Sequence, residues 1–267
     1  MTTVLSLDVG RMRAIAHRQW LAFYRSPHRW FDMVAPGVDA ILIGTIGVVA
    51  ERQGAADQVG VSYLITGTLL FHILFQANLG LAVGFLDETW SRNVLNLMVT
   101  PMRELEFAIA SALFGILKAL MATFTVVIVA VTLYSFNVTA ILIPLIPVAM
   151  LLVFLGWMLS MIVIGMVLRF GSGAEILAWI LTFIIWPFSG VFYPVDALPG
   201  ALQPIAYALP TTYAFKAARV IIAGGSLPWN TFAIAVGLTI VSAIGAFWFL
   251  LRMLNRFRRE GYVTRYS

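Results

Sequence analysis

FLDETWSRNVLNLMVTPMRELEF, residues Phe85 to Phe107, is the longest charged interval between apolar runs long enough to cross a bilayer. Within it Trp90, Val94, Leu97 and Met98 fall at i, i+4, i+7 and i+8, one stripe of a helix, while Arg92, Asn93 and Asn96 lie off that stripe. Pro101 closes the segment, since it has no N–H to donate and pushes Thr100 out of the helical region. The spacing predicts a short amphipathic helix over 87–101, held between two membrane spans and shaped for another protein to grip.

Outward from this stretch the chain is apolar almost everywhere. Of its 267 residues 61% are hydrophobic and 11% charged, whereas soluble domains are about half apolar and about a quarter charged. That composition implies an all-α integral membrane protein. At about 20 residues per crossing, the apolar runs make six expected transmembrane helices: Trp30–Ala50, Ser62–Leu86, Ala108–Tyr134, Ile143–Leu168, Ile176–Phe192 and Trp229–Leu251. Together they form a membrane domain over 30–252 and leave no room for a separate soluble domain.

Residues 1–29 read as an amphipathic helix lying along the membrane interface, with Met12, Ile15, Ala16, Trp20 and Phe23 on one side and Arg11, Arg13, Arg18 and Arg25 mainly on the other. No apolar h-region precedes the first span, so no cleaved signal peptide is expected. If the amino terminus is inside, thirteen Arg residues lie on the inner side, including those of a basic tail over 253–267, against Arg52, Lys216 and Arg219 outside. This asymmetry puts both termini of a multi-pass plasma (inner) membrane protein in the cytoplasm. A net charge of +5 carried beside the membrane suits anionic lipid headgroups and not nucleic acid. The absence of Cys removes disulfides, thiolate metal sites and Cys nucleophiles. With no H-E-x-x-H, no G-x-S-x-G and only three His, nothing joins a nucleophile to a base. An intramembrane enzyme, like a non-transporting scaffold, is therefore the distant alternative to a transport subunit.

Several residues inside the spans are candidates for mechanism, because ionisable groups in a bilayer are costly. Asp39 and Lys118 fall at similar depth, open to an ion pair, a polar cavity lining or snorkelling by Lys118. His72, Gln76 and Asn78 share the second span, either as interhelical hydrogen-bonding groups or along a translocation path. Gly80 and Gly84, four apart, would let another helix approach closely, as at a dimer contact. Between the last two spans Pro194, Pro199, Pro204 and Pro210 divide a stretch too polar to cross and too apolar to be a free loop. Thr211 or Thr212 is expected to cap a helix ending at Gly224 and Gly225. Short helices over 194–225 are thus expected to dip back into the outer leaflet. Breaks at Pro187, Gly190, Pro194, Pro199 and Pro210 would make this segment an external gate.

These parts resemble the permease subunits of bacterial type-2 ABC exporters, closer to the drug and lipid exporters than to the polysaccharide exporters. The resemblance rests on the acidic start at Asp87 and Glu88, the leucine-rich body and the Thr100-Pro101 stop, and on FSGVFYPVDALPGALQPIAYALPTTYAFKAAR, residues 188–219. It implies that 87–101 is a coupling helix seated on a separate ATP-binding subunit, with Asp87, Glu88, Arg92 and Asn96 facing that subunit. Glu88, expected at the amino terminus of the helix, would make its buried charge contact. It further implies two copies of the ATP-binding subunit, a second copy of this chain, and export of an amphipathic drug-like or lipid-like molecule. Export of a lipid-linked polysaccharide or oligosaccharide by the same architecture is the alternative. With no G-x-x-x-x-G-K-[ST] in this chain, ATP and Mg are expected on the partner.

Overall fold

The computed structural model describes residues 7–54, 60–90, 103–136 and 138–260, and among them the chain is helical with no strand. Helix α1, Val9–Tyr24, starts at Asp8, whose carboxylate accepts from the Gly10 and Arg11 amides at 2.8 and 3.2 Å. It buries Ile15, Gln19 and Phe23, at i, i+4 and i+8, and leaves Trp20 at the edge. Ser26 and Pro27 break the chain before α2, Pro27–Arg52. Then follow α3 (Val61–Trp90), α4 (Glu104–Tyr134) and α5 (Val138–Phe170).

Among the described residues five helices are long and apolar enough to cross a membrane: α2, α3, α4, α5 and α9, Trp229–Glu260. The sixth expected span, over 176–192, folds differently. After a 3-10 turn at Ser172–Glu175, α6 is the 13-residue helix Ile176–Phe188, about 20 Å long against a hydrocarbon layer of about 30 Å. Pro187 sits in its last turn, and Gly190 takes a positive φ of 64° just beyond, which ends the helix. The outer segment continues as a 3-10 turn (Val195–Ala197), α7 (Gln203–Ala208) and α8 (Pro210–Ile222).

Helix α3 is the axis of the bundle. Buried on nearly all sides, it is packed by α2, α4, α5, α6 and α8. Cross-links fix the directions. Arg29 pairs with Asp87, His72 with Asp39 and the Val61 amide with Glu51, so α2 and α3 are antiparallel. Thr125 donates to the Met33 carbonyl (2.9 Å) and Tyr134 to that of Ile41 (2.7 Å), so α4 runs with α2. Gly156 lies on Leu74 and Ser160 on Asn78, so α5 runs with α3. Helix α6 climbs α3 the other way, from Thr182 at Asn78, past Trp186 at Phe71 (5.2 Å between rings), to Val191 at Gly67. Helix α9 leaves α8 near the start of α3 and passes Gly165 with Phe249 and Met253. The ends of α3, α5 and α9 therefore share one end of the bundle with α1 and the start of α4, here called the inner end.

Two expectations about boundaries are corrected. The second long helix does not stop at Leu86 but continues through Trp90, so Asp87 and Glu88 lie near the end of α3 instead of at the amino terminus of a new helix. Nothing in Asp87-Glu88-Thr89-Trp90 breaks a helix, and both acids are matched by Arg side chains that offset their unfavourable position near a helix carboxyl end. The remainder of the expected coupling helix, with Arg92, Asn96 and Pro101, lies outside the described residues. Neither Thr211 nor Thr212 caps α8; Pro210 takes its first position and both threonines are buried in its first turn.

Candidate functional site

The inner end is held by carboxylates that the chain itself neutralises. Glu88, at the end of α3, is buried and is bound by Arg18 of α1, whose own side chain is half exposed. One residue earlier Asp87 accepts from Arg29 of α2 at 2.8 Å. On α4, Glu106 is fully buried: its carboxylate accepts from the Asp8 amide (2.9 Å) and from the Arg103 amide at the start of its own helix (3.0 Å), with Arg11 at 3.6 Å. Gln19 adds a hydrogen bond to Ser111 at 2.7 Å. Helix α1 thus clasps α3 through Glu88 and α4 through Glu106 and Ser111. From Asp8 to Phe23 it advances fifteen residues while its contacts on α4 move only from Glu106 to Phe114. It is therefore inclined to the bundle instead of parallel to it.

Above the clasp a polar ladder crosses the interior. Lys118 of α4, buried, pairs with Asp32 of α2 at 3.2 Å. Gln76 donates to the Asp32 carbonyl (2.8 Å), and two turns further along α2 Asp39 meets His72 at 3.1 Å. On the other side of α3, Asn78 donates to Thr182 of α6 (2.8 Å) and accepts from Ser160 of α5 (3.2 Å). Each of these residues has at least one polar partner, as a dry interior demands, while the Gln76 amide oxygen and His72 Nδ1 are buried without one. Asp39 is the exception to burial, its side chain 51% exposed on the outward face of α2.

At the opposite end Arg219 of α8 gathers the outer segment. Its guanidinium donates to the carbonyls of Gly190 and Tyr193 and to the Tyr63 hydroxyl, and lies 5.0 Å from the Tyr63 ring centre. Tyr63 in turn donates to the Gly190 carbonyl at 3.1 Å. Beneath it Ser189 and Thr211 bond at 2.6 Å, and Thr212 donates to the Ala206 carbonyl. Further out Tyr207 donates to Asp196 at 2.6 Å, and that bond to a carboxylate, with some burial, raises the phenol above its ordinary pKa.

Residues 11–223 match the family model described as ABC-2 type transporter. The chain belongs to that family. It is a multi-pass membrane protein and a transmembrane permease subunit of an ABC transporter, the part that is not itself catalytic. No curated protein matches it.

The permease brings together residues that the sequence alone left apart. Asp39 and Lys118 do not pair: each has another partner, His72 and Asp32. Counting depth from Trp30 placed them level, but α4 begins three turns below α2, where α1 flanks it, so Asp32 is the residue level with Lys118. Glu88 and Asp87, expected to be exposed toward a partner, are engaged by Arg18 and Arg29 of the same chain. Gly80 and Gly84, expected at a contact between copies, pack inside the chain. A methyl on Gly80 would stand 2.1 Å from the Gly115 Cα, and one on Gly84 would meet Gln19 and Ser111 at 2.9 and 3.2 Å. Of the breaks in the outer segment, Pro187 lies in α6, Gly190 forms the turn held by Arg219, Pro194 precedes a 3-10 turn, the Pro199 carbonyl accepts from the Leu202 amide (2.8 Å) and Pro210 opens α8.

Sequence reading missed Asp32, Glu106, Tyr63 and the bonding role of Arg219. Glu106 carried a signal, an acid three residues past a helix start, where it can accept from the first free amide. Tyr63 and Arg219 carried none, since they meet across 156 residues.

Proposed function

We propose that the permease is one of two identical membrane subunits of an exporter driven by two copies of a separate ATP-binding subunit, on which ATP and Mg reside. The observation that carries this reading is the clasp at the inner end. The segment after Trp90 leaves α3 beside Glu88, so a force applied there acts at once on α3, on α1 through Arg18, and on α4 through Glu106. That is the arrangement a coupling element needs, with Arg92 and Asn96 as its contacts to the partner.

The chain crosses the membrane six times in this reading, the fifth crossing made by α6 together with residues 189–192. Arg11, Arg18, Arg29, Arg103, Arg169 and Arg252 belong to the inner end, and Arg52, Lys216 and Arg219 to the other, which supports cytoplasmic termini. The half-exposed Asp39 supports the second copy, because a carboxylate at that depth is too costly against lipid. A copy seated over α2 and α6 would cover it. Phe75, Trp179, Phe183 and Trp186 form a run of ring contacts between α3 and α6 that is partly exposed on this side. Such a surface suits an amphipathic drug-like or lipid-like cargo. The outer segment, latched by Arg219, serves as the exit gate. Purification of the chain with its ATP-binding subunit, and ATP-dependent movement of a fluorescent amphiphile by the reconstituted pair, tests the proposal; a chain that moves it equally without ATP would refute it.

A further inference from the structure

A cavity of about 270 Å³ lies at the inner end between α1, α2, α3 and α4, with Trp179 of α6 at its edge. Its walls hold both ion pairs, Arg29 with Asp87 and Lys118 with Asp32. Arg29 and Asp32 are three residues apart on α2, so the pairs are stacked about 4.5 Å apart along the helix axis. Two features mark the space as built for a polar occupant. The Lys118 ammonium, almost wholly buried, carries three donors and gives one to Asp32. Gln19, 7% exposed and also in the wall, has an amide oxygen that meets no hydrogen-bond partner. Unmet polar groups beside a cavity are costly unless something fills it.

The charges select the occupant. Two cations and two anions surround the space, so a ligand of one sign meets as much repulsion as attraction. A ligand carrying both signs on a short link meets complementary charge at each. The volume is below the usual range of roughly 300–1,000 Å³ for drug-sized ligands, which suits a headgroup alone, and Leu79, Val83 and Phe114 line an apolar side along which a chain could leave. We propose that this cavity binds the zwitterionic headgroup of a phospholipid-like amphiphile, its phosphate toward Lys118 and Arg29 and its amine toward Asp32 and Asp87. The placement of this cavity in the inner leaflet rests on the orientation given under the proposed function.

The test is native mass spectrometry of the full-length chain released from micelles holding equal amounts of phosphatidylethanolamine and phosphatidylglycerol, with soluble glycerophosphoethanolamine as a third probe. The expected result is retention of phosphatidylethanolamine over phosphatidylglycerol by roughly tenfold. Val83→Phe, which fills the cavity without removing a charge, should abolish the preference. Asp87→Asn, which keeps the shape and removes an anion, should turn it toward phosphatidylglycerol. Equal retention of the two lipids, or a preference unmoved by both variants, would overturn the proposal. Equally firm retention of glycerophosphoethanolamine would assign the site to a free small molecule and refute the lipid. Labelling of a Cys added at the inner end of α9 with an impermeant reagent tests orientation separately: if it is reached from outside while the headgroup preference persists, the orientation fails and the site stands.

Discussion

Arg18 of α1 binds Glu88 of α3 with its own side chain half in solvent and the carboxylate buried. The two ends of this contact are therefore unequal. Removing Arg18 takes a cation from a buried anion, whereas removing Glu88 leaves an arginine that can turn to water. Arg18→Ala should destabilise the clasp more than Glu88→Gln, and both should raise hydrogen exchange along α1. Greater protection loss in Glu88→Gln would show that the burial of the carboxylate is not what matters.

Lys118 and Asp32 form a buried pair between α4 and α2. Truncating one member of such a pair costs about 3–5 kcal/mol, while replacing both by apolar groups is often neutral. Lys118→Met should lower the thermal midpoint in detergent sharply, and Lys118→Met with Asp32→Leu should recover most of the loss. Losses that simply add would mean that the two residues act independently.

Gly80 touches Gly115 backbone to backbone. Neither α3 nor α4 can yield here without opening the packing between them, so Gly80→Ala should cost about 1–3 kcal/mol or more and reduce folded yield even at dilutions where copies separate. A variant that folds normally and only dissociates copies would place this glycine between chains.

Gly190 combines a φ of 64° with a position 2.9 Å from an Arg219 nitrogen for any added methyl. Gly190→Ala should strain the latch by about 1–3 kcal/mol, and Arg219→Lys, which loses the planar fork, should release the same carbonyls. Both should speed proteolysis within 189–202 while leaving α2 to α4 protected. Unchanged cleavage would mean that the outer segment is held by its Ser189–Thr211 and Thr212 bonds alone.

Much of this architecture was legible in the sequence. The long apolar runs located the long helices, although the last runs nine residues past its expected end at Leu251, and basic residues do collect at one end of the bundle. What was not legible is register. Asp39 looked level with Lys118 because depth was counted from the first apolar residue of each run, and nothing in the chain tells that α1 sits against the first turns of α4. Gly80 and Gly84 signalled close approach correctly but not to which helix. Asp87 and Glu88 were expected to face a partner, and their pairing within the chain was not legible for a related reason: the arginines that engage them come from residues 18 and 29.

The central claim is that the inner clasp carries force from an ATP-binding partner into the bundle. It is tested most directly by measuring ATP hydrolysis and amphiphile transport on the same proteoliposomes, with wild-type chain and with Arg18→Ala, each co-reconstituted with the ATP-binding subunit. The expected result is hydrolysis within about twofold of wild type and transport lowered roughly tenfold, a loss of coupling of about 1.4 kcal/mol. Wild-type transport in Arg18→Ala, with the variant folded and bound to its partner, would contradict it.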